Sequence, residues 1–201
     1  SQLSTDPVAK RKPTDYKSDL KPIWCPGCGD FGVLASLYRA FAELDLDPVR
    51  TVVVSGIGCS SRLPGFVSTY GFHSLHGRPL PVAMGVKLAN PDLNVIAVGG
   101  DGDGFAIGAG HFPHAARRNI DITYLVMDNE IYGLTKGQYS PTSPEGAVTR
   151  STPMGSTDHP FNPLALVKGA GETARRFHDF LRSPEARAIF ARHGFALPGE
   201  N

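Results

Sequence analysis

Along the chain the apolar positions change period. In "FGVLASLYRAFAELDL", which follows Gly29, residues Phe31, Leu34, Leu37, Tyr38, Phe41 and Leu44 recur every three or four positions, the spacing of one helix face. Three later runs are nearly continuous in apolar, largely β-branched residues: "TVVVSGIG" at 51–58, "NVIAVGGDG" at 94–102 and "DITYLVMDN" at 121–129. Each ends in glycine or small polar residues, the pattern of buried parallel strands. Between the second and third, "FAIGAGHFPHAARRN" predicts a helix with cationic residues near its C-terminal end, and strand, helix, strand order implies a right-handed crossover. The expected class is α/β, a doubly wound, mostly parallel sheet with helices on both faces.

The flanks read differently. Residues 1–23 are polar, carry Pro7, Pro13 and Pro22 and lack an amphipathic period, which predicts an N-terminal arm or linker able to lie on a partner. Residues 132–163 are rich in Gly, Pro, Ser and Thr, a long loop of the kind that carries function or stays disordered. Two helices, at 172–182 and 184–193, are expected to close the chain, with Ser183-Pro184 starting the second. The expected division is an arm at 1–23, one domain at 24–171 and a helical tail of different character at 172–201.

Composition narrows the function. With 201 residues, 41% of them hydrophobic and 19% charged, the chain can bury a sizeable core. A formal charge of +1 offers no basic field for a phosphate backbone, so nucleic-acid binding is not expected. The N-terminal stretch has no apolar run of the length a secretion signal needs, and no window approaches the ~20 apolar residues of a membrane span. The expectation is a cytoplasmic protein without a membrane partner.

The densest chemistry lies in "GGDGDG" at 99–104 and "MDNEIYGLT" at 127–135. In open α/β sheets ligands bind at the carboxyl ends of the strands. Asp101 ends one predicted strand and Asn129 ends the next, 28 positions later, so a single crossover can bring both side-chain oxygens to one point. A carboxylate, an amide oxygen and a nearby carbonyl suit Mg²⁺, whose remaining positions substrate phosphates often fill. Glycines at 99, 100, 102 and 104 let the backbone approach a diphosphate, and the following helix offers its N-terminal amides.

"GGDGDG…DNEIYGLT" resembles the thiamine-diphosphate motif, and its flanks resemble the beta subunit of 2-oxoacid:ferredoxin oxidoreductases. The similarity runs from about Lys21 to Gly171 through "WCPGCGDFG", "GIGCSSRLP", "HSLHGRPLPVAMGVKLANP", "HAARRNIDITYLVMDNEIYGLTKGQ" and "SPTS". It implies a thiamine-diphosphate-binding fold in which Asp101, Asn129 and the carbonyl of Ile131 hold Mg²⁺, with Gly100, Gly102, Asp103, Gly133 and Leu134 as further cofactor contacts. Such enzymes decarboxylate a 2-oxoacid oxidatively, pass electrons through iron–sulfur centres to ferredoxin and transfer the acyl group to coenzyme A, together with an alpha subunit. "HAARRNIDITYLVMDN" and "LANPDLNVIAVGGDGDG" look closest to members that use 2-oxoglutarate. The resemblance also gives Arg62 and Lys136 as cations facing the substrate carboxylate, and His76 as a cavity histidine able to shuttle a proton. Outside that context a lone Arg or His is more often a packing or surface residue.

"WCPGCGD" at 24–30 admits three readings. A thiol-redox motif expects a strand leading into it, and "KSDLKPI" has no strand character. Structural zinc needs a second close pair, which the sequence lacks. The family resemblance aligns Cys25, Cys28 and Cys59 with three thiolates of a [4Fe–4S] cluster. Such clusters normally take four, and no cysteine follows Cys59.

From about Glu172 the likeness stops, and the tail weakly resembles the end of periplasmic molybdate-binding proteins, or a generic helical hairpin. Two functional readings follow: a catalytic beta subunit, or a Mg²⁺ and diphosphate-binding module without a complete iron–sulfur site.

Overall fold

The computed structural model describes residues 10–167. Its main sheet has four parallel strands, β1 (Thr51–Ser55), β2 (Tyr70–His73), β3 (Asn94–Gly100) and β4 (Thr123–Met127), in the order β2-β1-β3-β4. Helix α1 (Asp30–Glu43) precedes β1, α2 (Pro79–Ala89) joins β2 to β3, α3 (His111–Arg118) joins β3 to β4, and α4 (Pro163–Val167) ends the described chain. Val54 stands beside Ala97 and Ala97 beside Tyr124, so the C-termini of β1, β3 and β4 open into one region.

Period-two alternation divides the core. Val53, Ile96 and Val98 pack with Leu34, Leu37, Tyr38 and Phe41 of α1 on one face. Val54, Val95 and Ala97 pack with Leu80 and Ala83 of α2 and with Phe112 and Ala115 of α3 on the other. This is the doubly wound arrangement expected from the sequence. Two residues of the predicted α1 core face depart from it: Phe31 is 39% exposed and Leu44 70%. Phe31 sets its ring edge against Trp24, with centroids 5.4 Å apart, and Leu44 lies one position past the helix end.

The strands are shorter than their apolar runs, because the residues after Ser55, Gly100 and Met127 turn away to form the ligand-side loops. The predicted helix at 105–119 is α3 alone, preceded by a wider helical turn at Asp103–Ile107. Strand β2 and helix α2 were not expected from the periodicity. The long loop carries a small antiparallel hairpin, β5 (Ile131–Tyr132) with β6 (Gln138–Tyr139). The expected tail helices at 172–182 and 184–193 lie outside the described residues.

Part of the expected arm packs on this chain. Tyr16 is fully buried, meets the Phe41 ring edge-on at 5.5 Å and donates its hydroxyl to the Leu46 carbonyl at 2.7 Å. A tyrosine that buries its ring and still reaches an acceptor anchors a segment lacking any helical period. Among the described residues no helix is long and apolar enough to cross a membrane.

A candidate cofactor site at the carboxyl ends of the strands

Asp101 follows β3 and is 1% exposed. Asn129 follows β4, and its Oδ1 accepts the Ile131 N–H at 3.3 Å. That end of the amide also lies 3.2 Å from Asp101 Oδ1 and 2.7 Å from the Ile131 carbonyl oxygen. With oxygen there, three oxygens converge with no hydrogen between them; with the amide NH₂ there, Asn129 donates to both neighbours. An octahedral Mg²⁺ with ligands at ~2.1 Å separates adjacent oxygens by ~3.0 Å, the separation that these contacts bracket. Asp101 and the Ile131 carbonyl are thus both brought against one end of the Asn129 amide, at separations near those of adjacent oxygens around a hard cation.

One hydroxyl lies between two carboxylates beside it. The Thr142 hydroxyl lies 2.9 Å from Asp101 Oδ2 and 2.8 Å from Asp128 Oδ1, and its single proton serves one carboxylate at a time. The surplus of acceptors favours a cation. Thr142 belongs to "SPTS", whose Ser143 hydroxyl donates to the Glu130 carbonyl, so this segment clamps the Asp128–Ile131 turn onto Asp101. Neither Thr142 nor Asp128 was singled out from the sequence; "SPTS" was the available signal.

Asp103, expected as a cofactor contact, joins loops of this chain. Its Oδ1 accepts from Ile57 N at 2.9 Å, Gly77 N at 2.7 Å and His76 Nδ1 at 2.8 Å, tying the loop after β1 to the loop after β2. Gly56 makes that burial possible, since a Cβ there would overlap the Asp103 carboxylate. The other glycines are close-packed as well: a Cβ on Gly99 would press on Asp103, one on Gly102 on Tyr132 and one on Gly104 on Tyr124. Of the four, Gly100 alone meets neither Asp103 nor a tyrosine ring.

The Tyr124 hydroxyl is buried with no hydrogen-bond partner among the described residues. Burial, then the negative charge of Asp103, raises its pKa from the ordinary 10.0. The unfolded phenol ionises first, so this group's contribution is intact below about pH 10 and is lost above it. Tyr124→Phe is expected to leave neutral-pH stability unchanged or raise it by up to ~1 kcal/mol, and to flatten the alkaline decline. Urea midpoints at neutral pH and at about pH 11 check this; a clear loss at neutral pH would show that the hydroxyl has a partner.

A cavity of about 1710 Å³ opens beside β4. Asp101, Asn129, Ile131, His76, Gly133 and Leu134 border it, and so do all three cysteines. "CPGC" is a tight turn: Cys28 N donates to the Cys25 carbonyl at 3.0 Å, and Gly27 takes the φ of +79° that the third position of a type II turn requires. The Trp24 indole donates to the Cys59 carbonyl at 2.7 Å and draws the distant cysteine to the pair. Burial and then Asp30, Cys28 and Cys25 push the Cys59 thiol up, and Arg62 pulls it down. The cysteines are thus electrostatic neighbours, all free, although among the described residues no three His, Cys, Asp or Glu side chains form a ready-made metal cage. No described strand leads into Cys25, since β1 begins at Thr51, which removes the context a thiol-redox motif needs. Arg62 and Lys136 are exposed and do not border the cavity, and Lys136 sits at φ +73° in the loop after β5.

Residues 56–198 match the family model described as thiamine pyrophosphate enzyme, C-terminal TPP binding domain. The chain is 55% identical over 170 residues to 2-oxoglutarate oxidoreductase subunit KorB of Mycobacterium tuberculosis, covering 85% of this chain and 45% of that protein. With 2-oxoglutarate synthase subunit KorB of Archaeoglobus fulgidus it shares 45% identity over 195 residues, covering 94% and 72%. It spans about half the length of several curated relatives, including 52% of 2-oxoacid:ferredoxin oxidoreductase 1, subunit beta, of Aeropyrum pernix. A solved structure, 2-oxoglutarate:ferredoxin oxidoreductase from Magnetococcus marinus with 2-oxoglutarate, coenzyme A and succinyl-CoA bound, superposes with a TM-score of 0.81 at 48% identity, over 95% of this chain and 67% of that one. With this fold, this strand-end site and these matches, the chain belongs to the beta-subunit family of the 2-oxoacid:ferredoxin oxidoreductases and carries its thiamine pyrophosphate-binding domain.

Proposed function

We propose that this chain is the cofactor-binding part of a beta subunit that, with an alpha subunit, oxidatively decarboxylates a 2-oxoacid, 2-oxoglutarate by preference, forming an acyl-coenzyme A and reducing ferredoxin. The observation that supports the reading is the approach of one end of the Asn129 amide to both Asp101 Oδ1 and the Ile131 carbonyl oxygen at the carboxyl ends of β3 and β4. Asp101, Asn129 and Ile131 hold Mg²⁺ against the diphosphate, and Gly100 gives the phosphates backbone access. Thiamine diphosphate, once bound, supplies the carbanion chemistry that decarboxylation needs. Thr142 and the "SPTS" turn keep the metal ligands together, and Tyr132, whose hydroxyl donates to the Gly102 carbonyl at 3.0 Å, holds the β3 turn in place.

Cys25, Cys28 and Cys59 provide three thiolates for a [4Fe–4S] cluster beside the cofactor, with the fourth ligand from outside the described residues. They border the same cavity as Asn129 and Leu134, which supports a cluster on the cofactor side of the chain. The ligands named for the Magnetococcus marinus structure support 2-oxoglutarate and coenzyme A as substrates. Arg62, on the short helical segment Ser60–Phe66, and Lys136, on the loop after β5, reach the substrate carboxylate only if these segments turn inward in the assembly.

Thermal unfolding of the chain with thiamine diphosphate tests the site. At ~100 times its Kd the cofactor should add about 2.7 kcal/mol, only when Mg²⁺ is present. Equal stabilisation in excess chelator would remove the metal-mediated reading, and no stabilisation with either would remove the site.

A further inference from the structure

We propose that Asp103 is a positioning residue for His76: its buried carboxylate fixes the imidazole as the Nδ1–H tautomer and leaves the Nε2 lone pair for the cofactor cavity. Two backbone N–H groups, from Ile57 and Gly77, already point at Asp103 Oδ1, so that oxygen has no proton to give and the ring nitrogen 2.8 Å away is the donor. The carboxylate is 2% exposed, while the His76 side chain, 36% exposed, borders the cavity with Asp101 and Asn129. The ring is held from a second side by Tyr132, edge-on with centroids 6.2 Å apart. Tyr132 is itself tied to Gly102, one position from the predicted metal ligand. A ring fixed by a buried acid at one nitrogen can accept a proton only at the other, and it meets the cavity in one orientation.

What Nε2 does for the reaction rests on the function proposed above; the tautomer does not. The direct test is the ¹⁵N spectrum of histidine-labelled chain near pH 8, with His76→Gln identifying the His76 signals. A protonated Nδ1 and an unprotonated Nε2 are expected; the reverse pattern in the wild type overturns the proposal. Asp103→Ala should release the ring to the Nε2–H form, whereas Asp103→Asn, which keeps an oxygen acceptor, should hold Nδ1–H. If Asp103→Ala does not fold, the wild type and Asp103→Asn still decide.

In the assembled enzyme, Asp103→Ala and His76→Gln should each lower kcat on the order of 10²-fold, and the double variant should fall no more than about threefold further. Losses that multiply would show that Asp103 does not act through His76. Cofactor stabilisation, measured alongside, separates the two ideas: its absence in the wild type removes the functional reading and leaves the tautomer result standing.

Discussion

Asp101→Ala is expected to abolish Mg²⁺-dependent binding of thiamine diphosphate while leaving the chain folded. The carboxylate sets one oxygen 3.2 Å from the Asn129 amide and accepts the Thr142 hydroxyl at the other. Its removal leaves an amide and a carbonyl, two neutral ligands that cannot offset the charge of a divalent ion or the stripping of its water. An affinity loss of 10²-fold or more follows, given that even outer partners of metal ligands are worth on the order of 10 to 100-fold. Folding should change by about 1 kcal/mol or less, because the acceptor surplus around Thr142 is relieved when one acceptor leaves. Thr142→Val keeps the three converging oxygens and should weaken binding only ~10-fold. Calorimetric titration of wild type and both variants at fixed Mg²⁺ measures the order. Undiminished affinity in Asp101→Ala would mean that the cofactor is held elsewhere.

The parts of this site that could be read in the sequence lie at the ends of strongly patterned elements. Strands β1 and β3 announce themselves because both faces are covered, so Val53 and Val54, or Val95 and Ile96, are all apolar, and the edge strand β4 by its apolar run, although none of its residues is buried. Asp101 and Asn129 inherit that certainty, since their separation is one crossover. Strand β2 stays hidden: "YGFH" is an edge strand of four exposed residues, with neither alternation nor a run to mark it. Helix α2 is hidden for another reason. "PLPVAMGVKLA" begins with prolines that read as loop punctuation yet fit a first helical turn, and its apolar residues run too densely to show a period. The role of Asp103 is invisible because its partners, Ile57, His76 and Gly77, meet it only after β1, β2 and β3 align. The same long-range geometry packs Gly99, Gly102 and Gly104 closely against Asp103, Tyr132 and Tyr124.

Gly56→Ala tests that hidden hub most severely, with an expected loss of ~3–5 kcal/mol in stability. Gly56 is buried at the end of β1, and a methyl group there would occupy the space of the Asp103 carboxylate. Overpacking alone costs about 1–3 kcal/mol. A carboxylate pushed aside also gives up the N–H groups of Ile57 and Gly77, and a buried unpaired donor costs about 1–3 kcal/mol more. Gly85→Ala is the control: Gly85 lies inside α2 with nothing within 4 Å of its Cβ position, so alanine there should stabilise by ~0.5–1 kcal/mol. Urea midpoints give both values, and the His76 ring signals report whether the hub has opened. A Gly56→Ala chain within about 1 kcal/mol of the wild type, with those signals unmoved, would show that the Asp103 carboxylate has room to move and that the three loops hold together without it.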